Sequence, residues 1–528
     1  MNSYCLRTSS FDLPFRVSQS SLRVGLPIAS LFFLSLNACS SGAEPASVDP
    51  QLLSGGTVVA SGERAQTSGH KEDGFTETAT EPASTFAIDV DTGSYSLSRS
   101  YLERGILPPK DVVRAEEYLN YFDYGDARPA QGSRHPFAVH VEGAPSKFGE
   151  GFSLIRIALR ARDLTETERP AVALTFLVDA SGSMAVENKL PLVKRALGVL
   201  LMTLRATDTI ALVTYAGDSR IVLEPTPVKD SERIRHAIRQ LGAGGGTNGS
   251  GGITAAYEVA SRGFKVGGAN RLVLCTDGDF NLGLSGEPLY TLIESEREKG
   301  VTLTTLGFGT ENYQDHTLEE LADRGNGNYA YIDNLSEAER ALATKVASTI
   351  QLVAKDVKVQ VAFDPTWVKR YRLIGYENRR LANVDFRNDK RDAGEMGPGH
   401  TVVALYEAEL NPMKGLTFAV GEKAVAGPLA EVRFRYRSLG SATAVEGSSP
   451  FRFASMSRTF ESASSSLRMS AAVVEFAEIL GASKHSHGSR FDEVIQVGKS
   501  AGLPSDADRL QFLSLVGMAR AVHERSFD

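Results

Sequence analysis

The stretch Ala171–Met184, AVALTFLVDASGSM, decides how the chain is read. Ala171–Leu177 carries no charge, and Val178 extends the run. An apolar run of that length, bounded by Pro170 and a polar turn, predicts a strand buried on both faces, as in a parallel sheet. At its carboxyl end stand Asp179, Ser181 and Ser183 in the pattern D-x-S-x-S. In open α/β sheets, ligands bind outside the carboxyl ends of the strands. One carboxylate and two hydroxyls form an oxygen-only donor set. Such a set suits a hard cation, Mg²⁺ or Ca²⁺, and does not suit zinc or copper.

Two downstream segments extend this pattern. GAGGGTNGSGG (Gly242–Gly252) is a glycine-rich loop with Thr247 near its centre. RLVLCTDGD (Arg271–Asp279) is a second buried-strand pattern that reaches Asp277. Read separately, the serines would cap a helix and Asp277 would sit in a turn. Together the three segments resemble the metal-ion-dependent adhesion site of von Willebrand factor type A (VWA) domains, with Asp179, Ser181, Ser183, Thr247 and Asp277 matching its motif. The resemblance implies Mg²⁺, with Mn²⁺ or Ca²⁺ as alternatives, held by the hydroxyls of Ser181, Ser183 and Thr247. Asp179 and Asp277 would bind directly or through water. It further implies an open coordination position that accepts a Glu or Asp from a partner protein. The expected role is binding and not catalysis. Two alternatives stay open: a metal-dependent hydrolase, and a VWA scaffold for an ATPase complex, as in chelatase-type systems.

The surrounding chain follows a doubly wound α/β rhythm. After the first strand come a helix at 189–204, strands at 208–215 and 220–223, and helices at 231–241 and 253–262. A strand at 272–276, a helix at 287–299 and a strand at 301–307 follow. A short helix at 317–324, a strand at 329–332 and a closing helix at 336–352 complete the region. The crossovers predict a mainly parallel sheet with helices on both faces.

The chain of 528 residues has room for about three or four domains. Its net charge of −7 shows no basic footprint for nucleic acid. Cys5, Cys39 and Cys275 form no C-x-x-C motif and allow no disulfide framework beyond one pair. Arg7, Arg16 and Arg23 precede an apolar run, Val24–Leu36, that is short of the roughly 20 residues a spanning helix needs. It fits the core of a secretory signal. Leu36-Asn37-Ala38-Cys39 resembles a bacterial lipobox, which implies lipidation at Cys39 and an outer-membrane anchor facing the periplasm. Cleavage near Ala38 without lipidation is the alternative. Export would keep cytosolic ATPases out of reach and so disfavours the scaffold reading.

The expected boundaries are a signal peptide at 1–39, a disordered linker at 40–84 and an N-terminal region at 85–165. The α/β domain follows at 166–352, then a β-rich and finally helical part at 353–528. In 85–165, Val112, Val113, Ala115, Tyr118, Leu119 and Phe122 lie near helical spacing after Pro108-Pro109. Residues 137–141 and 152–160 alternate as strands, as do 354–363, 401–408 and 431–437. These last three suggest a sandwich that pairs with 137–160 across the inserted α/β domain. Helical spacing returns after Ser455. From Ser84 onward, and most clearly in Ser84–Tyr124 followed by the VWA segment, the chain resembles the YfbK-like family of bacterial VWA lipoproteins.

Other motifs are weaker. Asp89 and Asp91 fit a turn better than a second cation site. Gly498-Lys-Ser500-Ala-Gly502 matches G-x-S-x-G, but Phe491, Val494, Ile495 and Gly498 place it at a helix end and not after a strand. Glu493 occupies the first glycine position of a P-loop. His485 and His487 lie in a Gly/Ser-rich stretch and read as a solvated loop.

Overall fold

The computed structural model describes residues 74–525, apart from 89, 166, 245–250, 279–283, 310–314, 343–351, 378, 390–392, 413–427, 442 and 487–489. These residues belong to one unit, Gln66–Asp528. It opens with β1 (Thr76–Glu77) and β2 (Ala83–Ala87). The expected linker to Ser84 is therefore too long at its end. Composition registers the shortage of apolar residues there, but ladder hydrogen bonds do not require apolar side chains.

Next comes α1 (Gly93–Glu103), a helix the sequence did not announce. The helical spacing across 112–122 is realised in two pieces, a 3-10 turn at Lys110–Val112 and α2 (Ala115–Leu119). The break has a local cause. Ser94 Oγ of α1 donates to Val112 O at 2.6 Å and accepts from Arg114 N at 2.9 Å, so one hydroxyl takes backbone groups that a continuous helix would have paired. Strands β3 (Phe137–Pro145) and β4 (Phe152–Ala161) follow.

The α/β domain then runs β5 (Val172–Asp179), α3 (Leu190–Thr203), β6 (Thr209–Tyr215), β7 (Ser219–Pro227), α4 (Ser231–Gln240) and α5 (Gly252–Arg262). It continues with β8 (Ala269–Thr276), α6 (Glu287–Glu298), β9 (Val301–Phe308), α7 (Asp315–Arg324), β10 (Tyr329–Ile332) and α8 (Leu335–Glu339). The strand order is β10-β9-β8-β5-β6-β7. Every neighbouring pair is parallel except β6–β7. Each face of the sheet carries its own apolar core: Phe176, Val178, Leu197 and Ile234 on one side, Leu177, Val213, Ile253 and Leu303 on the other. β5 lies at the centre, buried along its whole length. The chain leaves β5 toward β6 and returns on the other flank as β8. The switch point of the winding therefore falls at the carboxyl ends of β5 and β8.

The C-terminal part supplies β11 (Lys355–Phe363), β12 (Val368–Leu373), β13 (Arg380–Leu381), β14 (Thr401–Leu410), β15 (Ala430–Arg437) and β16 (Ala444–Phe451). Helices α9 (Ser465–Gly481), α10 (Phe491–Ser500) and α11 (Asp506–Arg525) follow. Two antiparallel sheets result, β1-β12-β14-β4-β3 and β13-β2-β11-β15-β16. β14 pairs with β4 along its length, Val402 opposite Leu159, which is the pairing across the insertion that the alternation suggested. Ile155, Ile157 and Leu159 of β4 share one core with Phe86 and Val359 of the second sheet. The other face of β4, with Leu154 and Ala158, packs under α2, α9, α10 and α11. The segments before and after the α/β domain thus form one sandwich together.

Candidate metal centre

β5 ends in a turn that Asp179 makes with its own side chain. Its Oδ1 accepts the Ser181 N–H at 2.8 Å, while Oδ2 accepts from the Tyr215 and Thr276 hydroxyls, each at 3.3 Å. The peptide between is held on both sides. Ala180 N donates to Tyr215 O and Gly244 N donates to Ala180 O, each at 2.9 Å. Met184, fully buried, pins the following 3-10 turn to the core. Ser181 is buried and Ser183 exposed, with their hydroxyl oxygens 3.0 Å apart, so the donor set grades from the interior to solvent.

Asp277 follows the last residue of the neighbouring strand β8. Its Oδ2 receives the Lys189 ammonium at 2.8 Å, and both side chains are buried. Among the described residues, its Oδ1 is buried with no hydrogen-bond partner. A carboxylate oxygen in that condition is costly unless something positive or a donor meets it. Burial pushes the Asp179 carboxyl above the usual carboxylate range, and the nearby Asp277 pushes the same way. The Ser181 N–H and hydroxyl and the Tyr215 hydroxyl oppose that rise. The residues fit a hard cation: two carboxylates and two hydroxyls, all oxygen, at the switch point, with one oxygen unsatisfied. Among the described residues, no three His, Cys, Asp or Glu side chains come together as a metal-binding group, so the hydroxyls are needed to complete this one.

The structure thus brings Asp179, Ser181, Ser183 and Asp277 to one end of the sheet. Thr247 and Cys39 lie outside the described residues. Three participants escaped the sequence reading. Tyr215 and Thr276 look like ordinary strand residues, and Lys189 looks like the start of an exposed helix. No local signal distinguishes them.

The weaker motifs find structural roles. Asp91 accepts the Tyr329 N–H at 2.9 Å and pairs with Arg379 at 3.0 Å; Asp89 lies outside the described residues. The G-x-S-x-G segment is helical through Ser500, past the glycine that was expected to end it. A Cβ at Gly498 would meet Leu513 Cδ2 of α11 at 2.9 Å, so that side chain would have to shift. His485 stacks edge-on against Phe75 at 5.6 Å, and His487 lies outside the described residues.

Comparison with known proteins agrees with this architecture. Residues 173–344 match the von Willebrand factor type A domain. Residues 348–522 match the family described as uncharacterized protein YfbK, C-terminal, and residues 62–156 match one described as von Willebrand factor. The chain is 38% identical over 467 residues to the uncharacterized protein YfbK of Escherichia coli, covering 85% of this chain and 80% of that one. A partial likeness, 27% over 184 residues, links it to the magnesium-chelatase 67 kDa subunit of Chlorobaculum tepidum, covering 32% of this chain and 29% of the subunit. Among solved structures, a von Willebrand factor type A protein from Catenulispora acidiphila aligns over 71% of this chain and 89% of its own, with 17% identity and a TM-score of 0.39. The chain belongs to the YfbK family of VWA-domain proteins.

Proposed function

We propose that this chain is a lipid-anchored protein of the bacterial cell envelope whose VWA domain binds Mg²⁺ and uses it to hold a protein partner. The observation that carries the reading is the buried Asp277 Oδ1, without a hydrogen-bond partner among the described residues, beside the Asp179–Ser183 turn. Asp179, Ser181, Ser183, Thr247 and Asp277 would hold the ion. Mg²⁺ keeps several waters in a near-octahedral shell. The exposed Ser183 side of the turn is where a partner's Glu or Asp would replace one of them. The role is recognition and not catalysis.

The test has two steps. Mg²⁺ should raise the melting temperature of the wild-type chain by mass action, and Asp179→Ala should abolish the rise. An affinity pull-down from envelope extract should then retain a protein with Mg²⁺-loaded wild type and lose it with EDTA or Asp179→Ala. Equal retention in all three would move recognition away from the metal centre. For the anchor, Cys39→Ser should shift the chain from the membrane to the soluble fraction. An unchanged distribution removes the lipid from the proposal.

A second reading, a scaffold for an ATPase assembly, draws on the partial likeness to the chelatase subunit. Recovery of an ATPase in the Mg²⁺-dependent fraction would favour it.

A further inference from the structure

We infer that Lys189 is a built-in counter-cation of the metal centre, which neutralises Asp277 in the metal-free protein and which an incoming divalent ion must displace. The inference rests on the cation reading of Asp179 and Asp277. Lys189 stands immediately before α3, and its ammonium lies 2.8 Å from Asp277 Oδ2. The side chains are 8% and 3% exposed, so the pair is shielded from water. A lysine is seldom buried so deeply unless it is paired, and its stem needs a path to the partner. Here the path is visible: a Cβ built at Gly309 would collide with Cε of Lys189 and crowd its Cδ and Cγ. Gly309 has φ +78° and follows β9 directly, so the carboxyl end of that strand leaves a slot for the lysine stem. The lysine reaches Asp277 across the same sheet end that carries the Asp179 turn.

The charge balance explains why the slot exists. Two buried carboxylates side by side repel each other and are expensive to bury. Lys189 removes one of the two negative charges. A divalent ion that arrived with Lys189 still in place would leave an excess positive charge in a shielded site, where charges interact strongly. Ion and ammonium therefore compete for Asp277, and the centre has two states: one net negative charge with the ammonium on Asp277, and none with the ion in its place. Only the ion-bound state leaves a metal coordination position for a partner. Lys189 thus keeps the empty domain folded and lowers its affinity for the ion.

Titration calorimetry with Mg²⁺ on the full chain, together with melting curves in EDTA, tests this. Lys189→Met should bind Mg²⁺ at least about tenfold more tightly, about 1.4 kcal/mol. Its melting temperature in EDTA should fall, and saturating Mg²⁺ should restore it. Lys189→Gln, which keeps a polar head in the slot, should move both readouts the same way and serves if the methionine variant does not fold. Wild-type and variant affinities that coincide would overturn the inference while leaving the cation site intact. Absence of Mg²⁺ binding in wild type and variants alike would overturn the cation reading itself, and the competition with it.

Discussion

β5 and the first seven residues of α1, Gly93–Arg99, are buried by opposite means. β5 reads VALTFLVD and meets apolar neighbours on both faces. α1 reads GSYSLSRSYLE, yet Ser94, Ser96, Ser98 and Arg99 are each at most 1% exposed. Ser96 Oγ donates to Tyr331 O at 2.8 Å. Arg99 reaches both oxygens of Asp333 at 2.6 Å, Glu337 at 3.0 Å, the Tyr121 hydroxyl at 2.8 Å and Gln511 at 2.9 Å. The lesson concerns direction. Apolar burial accepts any apolar neighbour, so the pattern of one segment is enough to read it. Polar burial demands named partners, and while Tyr121, Val112 and Arg114 lie near α1 in the chain, Tyr331, Asp333, Glu337 and Gln511 come from the α/β domain and from α11, hundreds of residues away.

Injuring each element at its centre separates the two modes of burial. Phe176→Ala in β5 should destabilise the protein by about 3–5 kcal/mol through a cavity. Arg99→Met should cost about 3–5 kcal/mol, because it strands two buried carboxylates. Denaturant unfolding measures both. Only the second should be rescued: Arg99→Met combined with Asp333→Asn and Glu337→Gln should recover more than half the loss. A cost below about 1 kcal/mol for Arg99→Met would show that α1 is held by its apolar residues after all.

Gly93→Ala should have a smaller effect, about 1–3 kcal/mol from overpacking. Its Cβ would collide with the Tyr329 ring, so α1 must back away from β10. An unchanged melting temperature would mean that this contact has slack.

The smallest effect is a pH slope. Burial pushes Glu116 of α2 up to about 8, with Glu377 and Glu117 adding to the rise. Burial also lifts Glu475 of α9 to about 8, with Glu478 adding. The folded chain keeps these protons while the unfolded chain releases them near 4.5. Their stabilisation is therefore complete below about pH 4.5 and is lost as the pH rises through about 8. Melting temperatures across that window should fall for wild type and fall less for Glu475→Gln. Parallel curves would show that Glu475 is ionised in the folded protein.

Legibility follows the same division. The strands and helices of the α/β domain lie close to where periodicity puts them, since each buries a continuous apolar face; of the expected closing helix at 336–352, residues 343–351 lie outside the described residues. β12 and β16 were missed. Arg372 sits in β12 and is buried only because Glu407 and Glu478 meet it at 2.9 and 2.5 Å. β16 is an edge strand whose residues before the buried Phe451 are exposed or half-buried, so its sequence, AVEGSSPF, carries little apolar signal. At the candidate centre, the acidic and hydroxyl residues were readable as a motif, whereas Tyr215, Thr276 and Lys189 were not.

The mainly parallel sheet and the turn at its switch point are legible in the residues alone. A strand covered on both faces must be apolar throughout, and the groups at its carboxyl end are local to it. Only the tertiary structure decided that Lys189 meets Asp277, that α1 joins the α/β domain to the C-terminal helices, and that the segments flanking the insertion share a sandwich. Those contacts join residues far apart in the chain, and a charged or hydroxyl side chain carries no mark of the partner that will satisfy it.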